Sequence, residues 1–296
     1  MASRRTFLQQ TATTAFGAWA LNHLPAADLL KKKRKLGVQL FTFFPSFEQD
    51  VPGNLKKIAD TGIVDIESAY SLKGGFYGMG AKEFRKMVED LGMKWRSQHV
   101  LGAPLKPNPQ FDVSKMPKFN TLKNESQQIV DSMAESGVKY LVCANYPHDT
   151  LDEWKEGLAV LQKTGEQAKK AGMVLAYHNH ASEFKALDGV IPYDLMCSQV
   201  SGDVLQLELD LAWASQAGID PVTLFHKYPG RFPLWHVKDF DEGYKNLKPV
   251  GEGIIDFKRI FAAAKVAGTK HFFIEHDMPA DAFASIKSSV TYLRNM

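Results

Sequence analysis

Residues 171–180 read Ala171-Gly172-Met173-Val174-Leu175-Ala176-Tyr177-His178-Asn179-His180. A glycine suited to the left-handed end of a helix is followed at once by an apolar run, and that run finishes in two imidazoles. Side chains alternate along a strand, so His178 and His180, two apart, point to the same side. The segment therefore reads as a helix stop, then a buried strand, then a polar tip.

Working outward, the same pattern recurs along the chain. Short apolar or alternating runs occur at Leu36–Phe43, Ile63–Tyr70, Met93–Leu101, Val138–Tyr146, Met173–His180, Leu205–Trp213, Phe232–Phe240 and Lys270–Met278. Between them the periodicity predicts helices, among them Leu55–Asp60, Ala81–Leu91, Leu122–Ser136, Leu151–Ala171 and Phe257–Ala267. Most end at a glycine, namely Gly62, Gly92, Gly137, Gly172 and Gly268, with the next strand directly after it. Eight strand-then-helix units without a long linker match a single closed (β/α)8 barrel. An open doubly wound sheet would want a Gly-rich first turn, whereas the first turn here is Phe43-Phe44-Pro45-Ser46-Phe47. In such barrels chemistry sits at the C-terminal ends of the strands.

Composition agrees with a globular chain able to bury a large core: 296 residues, 45% hydrophobic and 23% charged. The net charge of +3 is unevenly spread. Residues 1–35 hold seven basic side chains against Asp28, a surplus of +6, so the remaining residues carry −3. A body of that sign argues against nucleic acid as partner. Ser3-Arg4-Arg5-Thr6-Phe7-Leu8, with the weakly apolar Thr11 to Leu21 behind it, resembles a twin-arginine export signal, which implies a periplasmic destination. Residues 1–35 are accordingly expected to be signal and basic linker, and residues 36–296 the barrel. No stretch approaches the roughly 20 apolar residues of a membrane span, so stable membrane insertion is not expected. The two cysteines, Cys143 and Cys197, make neither a disulfide framework nor a zinc-thiolate motif.

The strand ends concentrate ionisable groups. The fifth run ends in His178 and His180, and the sixth in Asp210, with Leu207 and Leu209 of opposite parity and facing the helices. The seventh places His236 and Lys238 on one side, and the eighth offers Glu275. Each alone has an ordinary explanation, such as a helix cap, a histidine satisfied by backbone, or an ion pair of Lys238 with Asp239. Jointly they are costly to bury without a compensating charge, and mixed nitrogen and oxygen donors suit Mn²⁺, Co²⁺, Zn²⁺ or Mg²⁺.

The order His178-Asn179-His180 with Glu183, then Glu208-Leu209-Asp210-Leu211 with Trp213, then His236-Val237-Lys238-Asp239, then Val250-Gly251-Glu252-Gly253-Ile254-Ile255-Asp256-Phe257, then Ile274-Glu275 resembles the xylose isomerase-like TIM-barrel superfamily, in its branch of sugar isomerases and epimerases. The resemblance runs from about Leu36 to the C-terminus. It implies one divalent metal held by carboxylates of strands five, six and eight and a histidine of strand seven. Asp210, His236 and Glu275 match three of these ligands. Where the family has a glutamate on strand five this chain has His178, so the implied set is His178, Asp210, His236 and Glu275, with His180 or Glu183 as alternatives for the first. In the family's epimerases two metal-bound glutamates exchange a proton with a carbon next to a carbonyl while the metal holds the enediolate. Here Glu275 remains, and His180 is the candidate second base. Lys238 either stabilises an oxyanion or neutralises a carboxylate.

Gln39, Glu67, His99, Glu183 and Trp213 are candidate substrate contacts, with Phe44 and Tyr146 as further apolar faces for a sugar ring. Gly251 and Gly253 are expected to shape a loop from which Glu252 reaches the site. The expected activity is metal-dependent isomerisation or epimerisation of a small-molecule sugar or keto-sugar. Export argues against a phosphorylated substrate. The alternatives are a lyase or dehydratase acting on keto-sugars or keto-glycosides, and an exported sugar-binding protein without turnover. Homo-oligomer formation through the helices is left open.

Overall fold

The computed structural model describes residues 34–107 and 116–296. The expected export segment lies outside the described residues apart from Arg34 and Lys35. Eight parallel strands close into a barrel: β1 Gly37–Gln39, β2 Asp65–Ser68, β3 Lys94–Leu101, β4 Tyr140–Asn145, β5 Val174–His178, β6 Leu205–Asp210, β7 Leu234–Val237 and β10 His271–Ile274. A short antiparallel pair, β8 Asp239–Phe240 and β9 Leu247–Lys248, sits in the connection between the last two. β10 closes the ring between β7 and β1.

Helices fill the connections: α1 Val51–Asp60, α2 Ala81–Asp90, α3 Leu122–Ser136, α4 Leu151–Lys170, α5 Pro192–Gln199, α6 Leu211–Gln216, α7 Pro221–Lys227, α8 Phe257–Ala262, α9 Ala264–Ala267 and α10 Ala282–Asn295. The five glycines read as helix stops all have positive φ, between 67° and 83°, where a side chain would be strained. Starts are equally local. The Thr150 hydroxyl accepts the Glu153 N–H at 3.2 Å, and the Glu153 carboxylate returns the bond to the Thr150 N–H, a capping box that opens α4. The expected Phe257–Ala267 helix is two, broken at Ala263.

Several strands are shorter than their apolar runs, because a side chain at the tip turns the backbone into a helix. The Gln39 amide oxygen accepts the Phe41 N–H at 3.0 Å and starts a 3-10 turn over Leu40–Phe43, inside the expected first strand. Asp210 Oδ1 accepts the N–H groups of Ala212 and Trp213 at 2.9 and 2.8 Å, so β6 ends there and α6 begins. The seventh run divides at Lys238, its last two residues joining β9.

Leu207 and Leu209 pack in the main core between sheet and helices. Inside the barrel, Val142, Ala176, Leu234 and Phe273 form a separate apolar layer. Gly37 makes room for it, since a Cβ there would lie 2.6 Å from the Phe273 ring. At the N-terminal end of the strands Asp65 joins Arg96 at 2.8 Å and His271 at 3.0 Å. The barrel interior is thus plugged below, and the opposite end is left to the polar tips.

Candidate active site

Two residues beyond the apolar layer, the same inward-facing positions carry His178 after Ala176, His236 after Leu234 and Glu275 after Phe273. β6 sets Glu208 in register with His178, and Asp210 in register with His236. Strand alternation on an apolar floor therefore collects these groups without any special loop.

Asp210, His236 and Glu275 each offer one donor atom within 4.8 Å of the others. Asp210 Oδ2, His236 Nδ1 and Glu275 Oε2 are buried and lack a hydrogen-bond partner among the described residues, although His236 Nδ1 and Glu275 Oε2 are only 2.6 Å apart. Buried polar atoms are normally paired, and three that converge without hydrogen-bond geometry to one another face a shared volume. Two carboxylates and an imidazole in that arrangement fit a hard or borderline divalent cation. His178 falls in an adjoining group with His99, Glu208 and His236, which also brings its donor atoms within 4.8 Å.

His236 belongs to both groups and uses its two nitrogens differently. Its Nε2 is 2.5 Å from Glu67 Oε1. Glu67 is itself fixed by the Gln39 amide at 2.8 Å and by the Ser97 hydroxyl. A carboxylate at Nε2 keeps a proton there, so a cation held by Asp210 and Glu275 would take the place of the second proton, at Nδ1. His99 Nε2 lies 2.7 Å from Glu208 Oε2 and 3.1 Å from Glu67 Oε1, and His178 Nδ1 lies 3.3 Å from Glu208 Oε2.

Burial opposes charge on all these groups, and their mutual attraction decides which keep it. Against burial, His99 and His236 hold the Glu67 carboxyl well below its usual range. Burial would lower His99, but Glu67 and Glu208 push it up to about 9. His236 is likewise raised against burial, by Glu208, Glu275 and Glu67. Burial, together with the cationic His236 and His99, drives His178 down, and burial also lowers His180. Glu208 is raised by burial and by Glu67. Burial disfavours charged Glu275, yet Lys238 and His236 keep its carboxyl far below the ordinary value. Five buried or half-buried carboxylates (Glu67, Glu208, Asp210, Glu275, Asp277) thus share one ammonium, Lys238, and protons on two imidazoles.

Above this floor lies a cavity of about 480 Å³, lined by His99, His178, His180, Trp213, Lys238 and Glu275 among others. Gln39 and Glu67 are fully buried and are not part of its wall. Glu183 is buried behind it, accepting the His180 N–H at 2.9 Å, the Tyr177 hydroxyl at 2.8 Å and the Ser182 hydroxyl at 3.0 Å. The aromatic rings on the wall include Phe41 and Tyr70, whereas Phe44 stacks behind Phe41 at 5.3 Å and Tyr146 lines a neighbouring cavity. Glu252 turns away, its carboxylate bonded to Ser288 on α10. Lys238 Nζ sits 5.6 Å from the centre of the Trp213 ring, 2.8 Å from Glu275 and 3.0 Å from Asp277.

Sequence reasoning assigned no role to Glu208, Asn179 or Asp277, and to Asp239 only an ion pair with Lys238, whose partner is instead Asp277. Glu208 was accessible to parity, two residues before Asp210 on the same face. Asn179, whose Oδ1 accepts the Asp210 N–H at 3.1 Å, gave no signal, because its partner is 31 residues away.

A family model described as xylose isomerase-like TIM barrel matches residues 34–296. An inosose dehydratase of Lacticaseibacillus casei is 30% identical over 139 residues, covering 41% of this chain and 46% of that enzyme, so the match spans under half of the relative's length. An inosose dehydratase of Geobacillus kaustophilus is 23% identical over 267 residues, 81% of this chain and 76% of the other. Among solved structures, a sugar phosphate isomerase/epimerase from Parabacteroides distasonis is 28% identical with a TM-score of 0.74, covering 90% of this chain and 95% of that one.

Proposed function

We propose that this chain, which belongs to the xylose isomerase-like TIM-barrel family, is a divalent-metal-dependent sugar isomerase or epimerase that removes a proton α to a carbonyl. The observation that carries this reading is the convergence of three unpartnered buried donors, on Asp210, His236 and Glu275, around a cavity that also holds His180 and Lys238. Asp210, His236 and Glu275 would hold the cation, which would supply positive charge against the negative charge that develops as the α proton leaves.

The chain's own groups divide the remaining work. His180 is kept neutral by burial, so its imidazole is available to accept a proton, and Glu183 holds the His180 backbone in place. Glu275 is the other base, kept ionised against burial by Lys238 and His236. Lys238 presents an ammonium at the cavity wall beside Trp213, where negative charge developing on a substrate oxygen would meet it. Among the described residues, the two lysines lining the cavity are both already paired: Lys238 as above, and Lys106 with Asp149 at 2.6 Å and Glu153 at 2.8 Å. That supports an unphosphorylated substrate, as does the export we propose from the Arg4-Arg5 motif.

The test combines metal content with solvent exchange. The wild-type protein should hold about one divalent metal per chain and wash solvent deuterium into the α position of a keto-sugar, and Asp210→Ala should lose both. Metal-free wild-type protein after supply of Mn²⁺, Co²⁺ and Zn²⁺ would sink the reading. A second reading, a lyase that expels a β leaving group, is supported by the dehydratase names of the curated relatives and by an imidazole, His178, in place of a strand-five carboxylate. Release of an eliminated product with the exchanged proton would decide for it.

A further inference from the structure

Resting on the cation reading above, we infer that Asp277 is a positioning residue for the cation site, drawing the hydrogen bonds of the Lys238 ammonium onto itself so that they are not committed to the adjacent Asp210 and Glu275 donors. Lys238 is 2% exposed, and its charge faces three carboxylates. They are not equivalent. The ammonium makes hydrogen bonds of good geometry to Asp277, to both oxygens at 3.0 Å. Glu275 Oε2 at 2.8 Å and Asp210 Oδ2 at 3.3 Å are close enough for attraction, yet both atoms remain without a hydrogen bond. The lysine is therefore anchored sideways onto Asp277, with the Trp213 ring 5.6 Å from Nζ. Glu275 and Asp210 feel the ammonium's charge without taking its hydrogen bonds.

Remove the anchor and the balance changes. The acceptors within reach of the ammonium become Glu275 Oε2 and Asp210 Oδ2, at distances that require almost no movement of the lysine. An ammonium settled between them is a tethered competitor for a divalent cation, since it neutralises the donors and repels the incoming charge. The carboxylate of Asp277 touches none of the three donor residues by hydrogen bond among the described residues, so apart from the direct effect of its charge, which the double variant separates, its influence on the site runs through Lys238.

The experiment is Mn²⁺ binding to the purified full chain, by calorimetric titration, for wild type, Asp277→Asn, Lys238→Met and the double variant, with folding checked by circular dichroism. Asp277→Asn should bind Mn²⁺ about tenfold more weakly. Lys238→Met should bind at least as tightly as wild type, and the double variant should regain wild-type affinity to within about threefold, the rescue expected when the harm comes from a released competitor. Asp277→Glu, which keeps the anchoring charge, should stay near wild type. An Asp277→Asn variant as tight as wild type, or one whose loss Lys238→Met leaves uncorrected, overturns the inference and leaves the cation reading intact. Wild type that binds no Mn²⁺, Co²⁺ or Zn²⁺ overturns both. If Asp277→Asn does not fold, Lys238→Met alone decides, and weaker binding than wild type refutes the competitor.

Discussion

Asp210 shows how one residue carries both a structural and a chemical task. Its Oδ1 caps α6 while its Oδ2 stays unpartnered toward His236 and Glu275, so the cap and the metal role proposed for it coexist on different oxygens. Asp210→Asn, whose amide oxygen can still cap, should bind far less metal with little loss of stability. Asp210→Ala should lose metal and, in addition, about 1 kcal/mol in chemical denaturation. Glu67 is a comparable case one step further from the cavity. With its carboxylate at His236 Nε2, Glu67→Gln should weaken metal binding by about tenfold without touching the donors themselves, and unchanged affinity would remove Glu67 from this role. The residue types at the strand tips were legible from alternation alone, because parity fixes direction. The partner of each was not: His236 meets Glu67 across 169 positions of sequence.

At the scale of elements, the segment after β8 depends on a single buried carboxylate. Asp239 accepts the N–H groups of Phe240, Gly251, Gly253 and Ile255 at 2.9–3.1 Å, which explains its burial without involving the cation donors. The expectation that Gly251 and Gly253 shape this loop has a physical cause. Gly251 has φ +92° with the Tyr292 ring where a Cβ would go, and a Cβ on Gly253 would fall 2.3 Å from Asp239 Oδ1. Asp239→Ala orphans four donors and should cost at least about 2 kcal/mol, as should Gly251→Val, both read as a lower denaturation midpoint. A change within about 0.5 kcal/mol would show the loop to be independent of this anchor. Helix ends were readable because glycine and capping residues act within a few positions. Strand ends were overestimated wherever a tip side chain, Gln39 or Asp210, capped the next turn instead of continuing the ladder.

For the whole molecule the buried charges predict a pH signature of the metal-free form. His99 has its folded pKa raised to about 9, above the ordinary value near 6.5, so its contribution is fully present below about pH 6.5 and lost as pH rises through 9. His178 and His180, held neutral, act oppositely and cost stability below about pH 6.5. In chelator-treated protein, the stability advantage of wild type over His99→Gln should therefore shrink between pH 6.5 and 9; a constant difference by thermal denaturation would refute the assignment. Export remains a proposal at this scale, and replacing Arg4 and Arg5 by lysine should hold the protein in the cytoplasm. The sequence by itself determined the eightfold alternation of strand and helix, the glycine stops and the identity of the polar tips, since hydrophobic period and backbone conformation are local properties. Only the closed barrel decided that His178 shares a group with Glu208 and His99, that Asp277 and not Asp239 anchors Lys238, and that Gln39, Glu67 and Glu183 support the cavity from behind. Those pairings depend on strand register and barrel closure, which bring together side chains dozens to hundreds of residues apart, and no local pattern encodes the distance between them.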